Sequence, residues 1–234
     1  MEKAKSEGLY PEADASEKHE THLRFLLQQA ERNGNVLLGI IDEVCASHYA
    51  MEQMIINTVR DIMTALDSRR WWTRQRSERV AAHALKIAEE MGFHEDEKRT
   101  LHIGALLHDI GQSIFYDGII DKPEKLTTDE TKLIMKHPEQ GAAVLDATGE
   151  MKRVIPLIMH HHERMDGRGY PGGLRGDQIP MGARIIHVAT AYESLVADRP
   201  YRPAQKREYA LREIVRCKNT QFDAMVTEVA IKVL

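Results

Sequence analysis

Five histidines and an aspartate hold most of the chemistry available to this chain. His160-His161-His162 follows the apolar run Ile155-Pro156-Leu157-Ile158-Met159 and opens a turn-rich stretch, Glu163-Arg164-Met165-Asp166-Gly167-Arg168-Gly169-Tyr170-Pro171-Gly172-Gly173. A second apolar run, Leu106-Leu107, leads into His108-Asp109-Ile110-Gly111, and His137 stands in Lys136-His137-Pro138. Imidazole is the commonest side-chain metal ligand, and three of them where an apolar helix ends read as the wall of a site. A carboxylate beside a histidine can bridge two ions while the histidine holds one. A lone His-Asp pair is often only a structural hydrogen-bonded couple. Joined to His137 and His161-His162 in one domain, it points to a divalent metal centre.

The elements that must position these residues are helical. Val80, Ala84, Ile87, Ala88 and Met91 fall on one face of a helix that Gly92 ends, and the next helix spans about Glu95 to Ile110, ending at Gly111. Thr127-x-x-Glu130 has the form of a capping box, opening a helix that Pro138 kinks or restarts. Further helices are expected at about 150–162, 181–197, 204–217 and 222–233, with one long loop at 163–180. No alternating strand pattern interrupts them, so the fold class is all-α: a helical bundle preceded by a long N-terminal helix or helical hairpin.

Three regions are expected. Residues 1–16 form a polar, flexible leader, 17–66 an N-terminal helical, dimerisation or linker region, and 67–234 the main domain. Within 36–66 a 4-3 spacing runs through Leu37, Ile41, Val44, His48, Met51, Ile55, Thr58, Ile62 and Ala65. It fits a coiled-coil homodimer or packing within the same chain. Leu38, Ile40, Met54, Ile56 and Val59 widen the stripe and favour burial on more than one side.

Composition narrows the function. A net charge of −4 with 29% charged residues gives no nucleic-acid signature, so DNA is not an expected partner. Only Cys45 and Cys217 occur, which fits a reducing cytoplasm. No stretch approaches the roughly 18 consecutive apolar residues of a membrane span.

In their order, these motifs resemble the HD-GYP family, a branch of the HD phosphohydrolase superfamily, from about Trp72 to Val226. The landmarks are Leu107-His108-Asp109-Ile110-Gly111, Lys136-His137-Pro138 and His161 to Pro171, then Arg184-Ile185-Ile186, Arg199-Pro200-Tyr201-Arg202 and Phe222-Asp223. The resemblance implies a bacterial, all-α signal-transduction hydrolase that opens cyclic di-GMP with two or three iron or manganese ions. Such ions acidify a bound water and withdraw charge from the phosphoryl group. It implies His108, Asp109, His137, His161 and His162 as metal ligands, with Asp109 as the bridge. Asp166, Gly169, Tyr170, Arg199 and Arg202 would then meet substrate, guanidinium being suited to phosphate.

The resemblance breaks at the reaction centre. Arg76 stands where the family has its first histidine, Gln112 where it has a lysine, and Thr190 where it has its last aspartate. Trp72 stands where some members carry a glutamate for a third metal. The lost histidine and aspartate serve the same ion, and a guanidinium stays protonated and offers no lone pair. Arg76 is therefore expected to stand in for that ion and pair with Asp109, leaving at most one divalent ion, iron or manganese by resemblance. No side chain is assigned as catalytic; a metal-bound water would serve in an active protein.

Two functions remain open. One is a degenerate phosphodiesterase-like module that binds cyclic di-GMP or a related nucleotide, metal, or a partner such as a GGDEF-domain protein at the loop. The other is an active phosphodiesterase working with a reduced metal centre. The complete loop and both arginines argue against a purely structural protein.

Overall fold

The computed structural model describes residues 53–69, 73, 75–116, 119, 122, 124–147, 151–199 and 202–234, with residues 28, 29, 32, 36, 50 and 51. The 1–16 leader, most of 17–52, Trp72, Pro200 and Tyr201 lie outside them. The chain divides into two compact units, Met1–Met54 and Ile55–Leu234, and the second carries every candidate site residue.

Residues 53–67 are helical (α1). Among the described residues nine α-helices follow: α2 Arg76–Glu90, α3 Glu95–Leu107, α4 Ile110–Phe115, α5 Thr128–Ile134, α6 His137–Asp146, α7 Ile155–Met159, α8 Met181–Val196, α9 Arg207–Arg216 and α10 Ala224–Val233. Among the described residues there is no strand. Only isolated bridges occur, at Asp166–Arg175, Arg199–Arg202 and Lys218–Phe222. The fold is all-α.

The apolar spacing of α2 places Val80, Ala84, Ile87 and Ala88 in the main core, against Leu101 and Leu106 of α3 and Ile185, Ile186 and Ala189 of α8. Burying each large side chain contributes roughly 1.5–3 kcal/mol. Gly92 stops α2 as its sequence suggests. It sits at φ +76°, its N–H donates to the Glu89 carbonyl, and the Phe93 N–H donates to that of Ala88. This double closure needs a left-handed residue, which glycine supplies at least cost. A smaller core of Met63, Leu107, Ile110, Leu145, Val154 and Ile158 lies beneath the histidines. Helix α1 buries Ile56 and Met63 on one face while Ile55 and Ile62 stay exposed on another.

Thr127 and Glu130 form the expected reciprocal cap of α5, and α6 restarts at His137 with Pro138 in its first turn, where no N–H is needed. Two expected helices come out differently. The helix expected over 150–162 is confined to Ile155–Met159. The one expected to run to Gly111 ends at Leu107, and a new helix starts at Ile110, so Gly111 lies inside α4 rather than after a helix. A Cβ at Gly111 would stand 2.1 Å from the His137 carbonyl oxygen and 2.7 Å from the Gly141 nitrogen. Glycine is required there because the backbones of α4 and α6 touch, and that contact brings Asp109 to His137.

Two buried polar ties hold α8 in register. Arg184 bonds Asp223, the N-cap of α10, and also Asp177 and the Ile179 carbonyl. Glu193, 1% exposed, takes Arg79 at 2.7 Å and His83 at 3.4 Å from α2. His83 is half-buried between Glu193 and the Tyr192 ring. These ties fix the cavity-facing side of α8 opposite Arg76.

Candidate metal centre and ligand cavity

The site histidines follow one local rule. His108 Nδ1 meets the Ala105 carbonyl at 2.8 Å, His137 Nδ1 that of Ile134 at 2.8 Å, and His161 Nδ1 that of Ile158 at 2.7 Å. Each partner lies three residues back, in the last turn of a helix, where carbonyls lack an intrahelical donor. The imidazole satisfies that carbonyl through Nδ1, which leaves Nε2 to face the site. These histidines are thus positioned by the helix ends themselves.

The freed Nε2 atoms converge on Asp109, whose side chain is 13% exposed. Its two oxygens face different neighbours. Oδ1 lies 3.3 Å from His137 Nε2 and 3.8 Å from His161 Nε2. Oδ2 lies 3.0 Å from His108 Nε2 and 3.6 Å from Arg76 Nε. Burial would raise the Asp109 carboxyl, but His108, His137 and Arg76 together hold it well below the usual carboxylate range. Burial, then the neighbouring histidines, push His161 and His162 well below the usual imidazole range, so both are neutral at neutral pH.

One ligand atom each from Asp109, His137, His161 and His162 lies within 4.8 Å of the others. A carboxylate and three imidazoles, two of them oriented by their Nδ1–carbonyl bonds, suit one divalent ion of the iron, manganese or zinc kind. The Oδ2 side does not fit a second. It offers His108 and the carboxylate, but Arg76 fills the space with a guanidinium and Thr190 adds only a hydroxyl. Among the described residues, Thr190 Oγ1 is buried with no hydrogen-bond partner, as is His108 Nε2 despite its closeness to the carboxylate.

The carboxylate opens onto a cavity of about 800 Å³. Arg76, Gln112, His137, His162, Tyr170, Thr190, Arg199 and Arg202 line it, together with Lys122 and Lys125. Five cationic side chains face two carboxylates there, so the lining favours an anion. Tyr170 stacks on His162 at 4.7 Å and 20°, presenting its ring to the cavity. Arg202 bonds the Ser194 and Leu195 carbonyls, where α8 ends, and so caps that helix as well as lining the cavity.

Asp166 and Gly169, expected to meet substrate, do not line this cavity. Asp166 pairs with Arg164 at 2.8 and 3.0 Å and takes the Arg168 N–H, which holds its carboxyl down at about 2. Gly169 packs so closely on the loop's own start that a Cβ would lie 2.5 Å from Glu163 Cα, Arg164 N and the His162 carbonyl oxygen. Both shape the loop rather than the cavity wall. The residue that organises that loop, Glu163, is one the motif reading did not single out. Buried to 2%, its carboxylate accepts the Gly172 N–H at 2.6 Å and the Leu174 N–H at 3.0 Å, and its carbonyl takes His187 Nδ1 at 2.7 Å. The Tyr170–Pro171 peptide is cis. His187 and His160 lie outside the four-residue group.

Comparison with known proteins agrees with this geometry. A family profile described as HD domain matches residues 60–226. The chain is 34% identical over 207 residues to the cyclic di-GMP phosphodiesterase response regulator RpfG of Xanthomonas campestris, covering 87% of this chain and 54% of that protein. It is 34% identical over 158 residues to the 3'3'-cGAMP-specific phosphodiesterase 3 of Vibrio cholerae, covering 68% and 34%. The chain thus spans about half or less of the length of these curated relatives. Among solved structures, the fold is shared with a V. cholerae cyclic GMP-AMP phosphodiesterase (TM-score 0.60, 20% identity, 76% and 48% covered). It is shared also with Bd1817 of Bdellovibrio bacteriovorus (TM-score 0.57, 22% identity, 67% and 50% covered). With the profile matching most of its length and the histidine–aspartate cluster assembled, this chain belongs to the HD domain family and carries the motifs of its HD-GYP branch.

Proposed function

We propose that this chain binds cyclic di-GMP or a related cyclic dinucleotide in the cavity beside Asp109, with phosphodiesterase activity lost or weak. It would act in bacterial cyclic-dinucleotide signalling by holding nucleotide, one metal ion or a partner. The observation that carries this reading is Arg76 at 3.6 Å from Asp109 Oδ2, on the side of the carboxylate that would face a second ion. A fixed cation neutralises Asp109 there but supplies no lone-pair ligand and no acidified water. Gln112 at the cavity wall, where the family has lysine, removes a further positive charge.

Asp109, His137, His161 and His162 would hold a single iron or manganese ion, which supplies Lewis acidity toward a phosphoryl oxygen when bound. The chain's own residues do the rest. Tyr170 offers an aromatic face to a base, Arg199 and Arg202 offer guanidinium groups to phosphate, and Glu163 fixes the loop that carries Tyr170. Losing one of two ions costs several kcal/mol of transition-state stabilisation, about a thousandfold in rate or more. Manganese- or iron-loaded protein incubated with cyclic di-GMP, analysed for pGpG and GMP, tests this directly. Turnover within tenfold of an intact HD-GYP enzyme overturns the reading.

The intact four-ligand group favours a second reading, an enzyme working with one ion, and the same assay separates the two. Two partners are proposed. One is a second copy of the chain through 36–66, supported by exposed Ile55 and Ile62; a monomer by light scattering at high micromolar concentration counts against it. The other is a GGDEF-domain protein at loop 163–174, where Arg168 is exposed. Binding to a purified GGDEF-domain cyclase that survives Arg168→Glu unchanged counts against that site.

A further inference from the structure

Helix α2 begins without a local cap. Its N-cap residue, Gln75, has a left-handed backbone (φ 56°, ψ 21°), and its side chain makes no capping bond. A non-glycine residue keeps that conformation only where its surroundings impose it. The first-turn amides must then find acceptors outside the helix. The Ser77 N–H finds the carboxylate of Asp67, the last residue of α1, with Oδ2 at 2.8 Å. The Arg76 N–H donates to the Thr73 carbonyl at 2.7 Å, and the Thr73 hydroxyl donates to the Asp67 carbonyl at 2.7 Å. Asp67 is 6% exposed and Ser77 2%, so water is a poor substitute for these bonds.

One residue of α1 thus holds the start of α2 by both its side chain and its backbone. What it holds there is Arg76. The guanidinium reaches Asp109 Oδ2 from Nε at 3.6 Å and Ser194 Oγ from Nη1 at 3.3 Å. Both contacts are long for a charged donor, so they fix the side chain weakly. Its place beside Asp109 is therefore set by where the backbone of residue 76 starts. The same two helices meet again where the Thr64 hydroxyl donates to Glu78 Oε1 at 3.3 Å. Met63 of α1 also lies in the small core beneath the histidines, with Leu107 and Ile110.

We propose that Asp67 is a positioning residue for the site: it caps α2 from the end of α1 and thereby holds the Arg76 guanidinium against Asp109. Helix α1 then belongs to the device that keeps a second ion out. A change in its placement reaches Asp109 through Arg76. This rests on the reading that Arg76 stands in for one ion.

The test uses the full chain, stripped with EDTA and titrated with manganese by calorimetry. Arg76→Gln removes a cation beside a ligand carboxylate and raises manganese affinity about tenfold or more. Asp67→Ala and Asp67→Asn both remove the carboxylate, but asparagine keeps an oxygen able to cap Ser77. Manganese binds about threefold or more tighter to Asp67→Ala than to Asp67→Asn, because only the alanine variant releases Arg76 from Asp109. In the Arg76→Gln background that difference vanishes, which a merely structural loss would not do. In protein with isotope-labelled arginine, the Arg76 Nε–H signal, assigned by its loss in Arg76→Gln, shifts in Asp67→Ala and stays in place in Asp67→Asn. Circular dichroism checks that each variant folds. Should Asp67→Ala fail to fold, Thr73→Val compared with Thr73→Ser, which keeps the hydroxyl, carries the same expectation. Equal affinities in the alanine and asparagine variants, or a difference that persists in Arg76→Gln, overturn the positioning role and leave the reading of Arg76 standing. Unchanged manganese affinity in Arg76→Gln overturns that reading, and the positioning role with it.

Discussion

Replacing Gly111 by alanine should damage the fold and the metal centre together. The new Cβ would lie 2.1 Å from the His137 carbonyl oxygen, 3.0 Å from its carbon and 2.7 Å from the Gly141 nitrogen. All three are backbone atoms, so no rotamer change relieves the overlap. Restoring ordinary contact requires α4 and α6 to part by about 1 Å or more. Overpacking of this kind costs about 3 kcal/mol or more, while the gain in helix propensity from glycine to alanine returns only about 1 kcal/mol. The net loss is at least about 2 kcal/mol, which the urea midpoint resolves. Because Gly111 is two residues from Asp109 and the clash falls on His137 itself, the 3.3 Å separation of Asp109 Oδ1 and His137 Nε2 must widen. Manganese affinity, read by calorimetry, should fall about tenfold or more. Gly141→Ala is the control, since its Cβ would meet Ile110 Cγ2 at 3.2 Å and Gly111 N at 3.3 Å. It should cost less than Gly111→Ala. Wild-type stability and metal affinity in Gly111→Ala would refute the close-crossing argument.

Three further outcomes are expected. Arg76→His combined with Thr190→Asp restores the missing ligand types beside His108 and Asp109, and should raise bound manganese to two ions per chain by elemental analysis; an unchanged count speaks against Arg76 as the replacement. Glu163→Ala removes a buried acceptor from two backbone amides and should cost about 2–4 kcal/mol, with hydrogen-exchange protection lost at Gly172 and Leu174; unchanged protection there contradicts its organising role. Burial lowers His187 to about 4, against about 6.5 unfolded, even though its bond to the Glu163 carbonyl opposes this. Between those values the unfolded chain binds the extra proton, so stability falls with falling pH, by about 2–3 kcal/mol between pH 7 and 4.5. His187→Gln should lose that part of the slope in urea titrations at the two pH values, and an unaltered slope contradicts the assignment.

Much of the candidate site is legible in the sequence because three of its histidines are tied to helix ends. Apolar runs closing on His108 and His161 mark where an imidazole can satisfy a terminal carbonyl and aim its other nitrogen inward. The pairing of Arg76 with Asp109 follows from charge and the matched loss at Thr190, and the two side chains do meet. Other features depend on contacts between distant segments. Gly111 has the signature of a helix stop, yet the packing of α4 on α6 requires it. Glu163 has the look of a solvated loop carboxylate because nothing local shows that Gly172 and Leu174 turn their amides back onto it. Asp166 and Gly169 share a motif with Tyr170, but only Tyr170 reaches the cavity, since the loop spends the other two on its own folding.

The central claim is that Arg76 has replaced one ion of a two-ion site while Asp109, His137, His161 and His162 keep the other. Elemental analysis of pure protein, loaded with excess manganese or iron under anaerobic conditions and desalted, measures this most directly. About one ion per chain is predicted, and the count should fall when His137 or His161 is replaced by alanine. Two tightly held ions per chain would contradict the account.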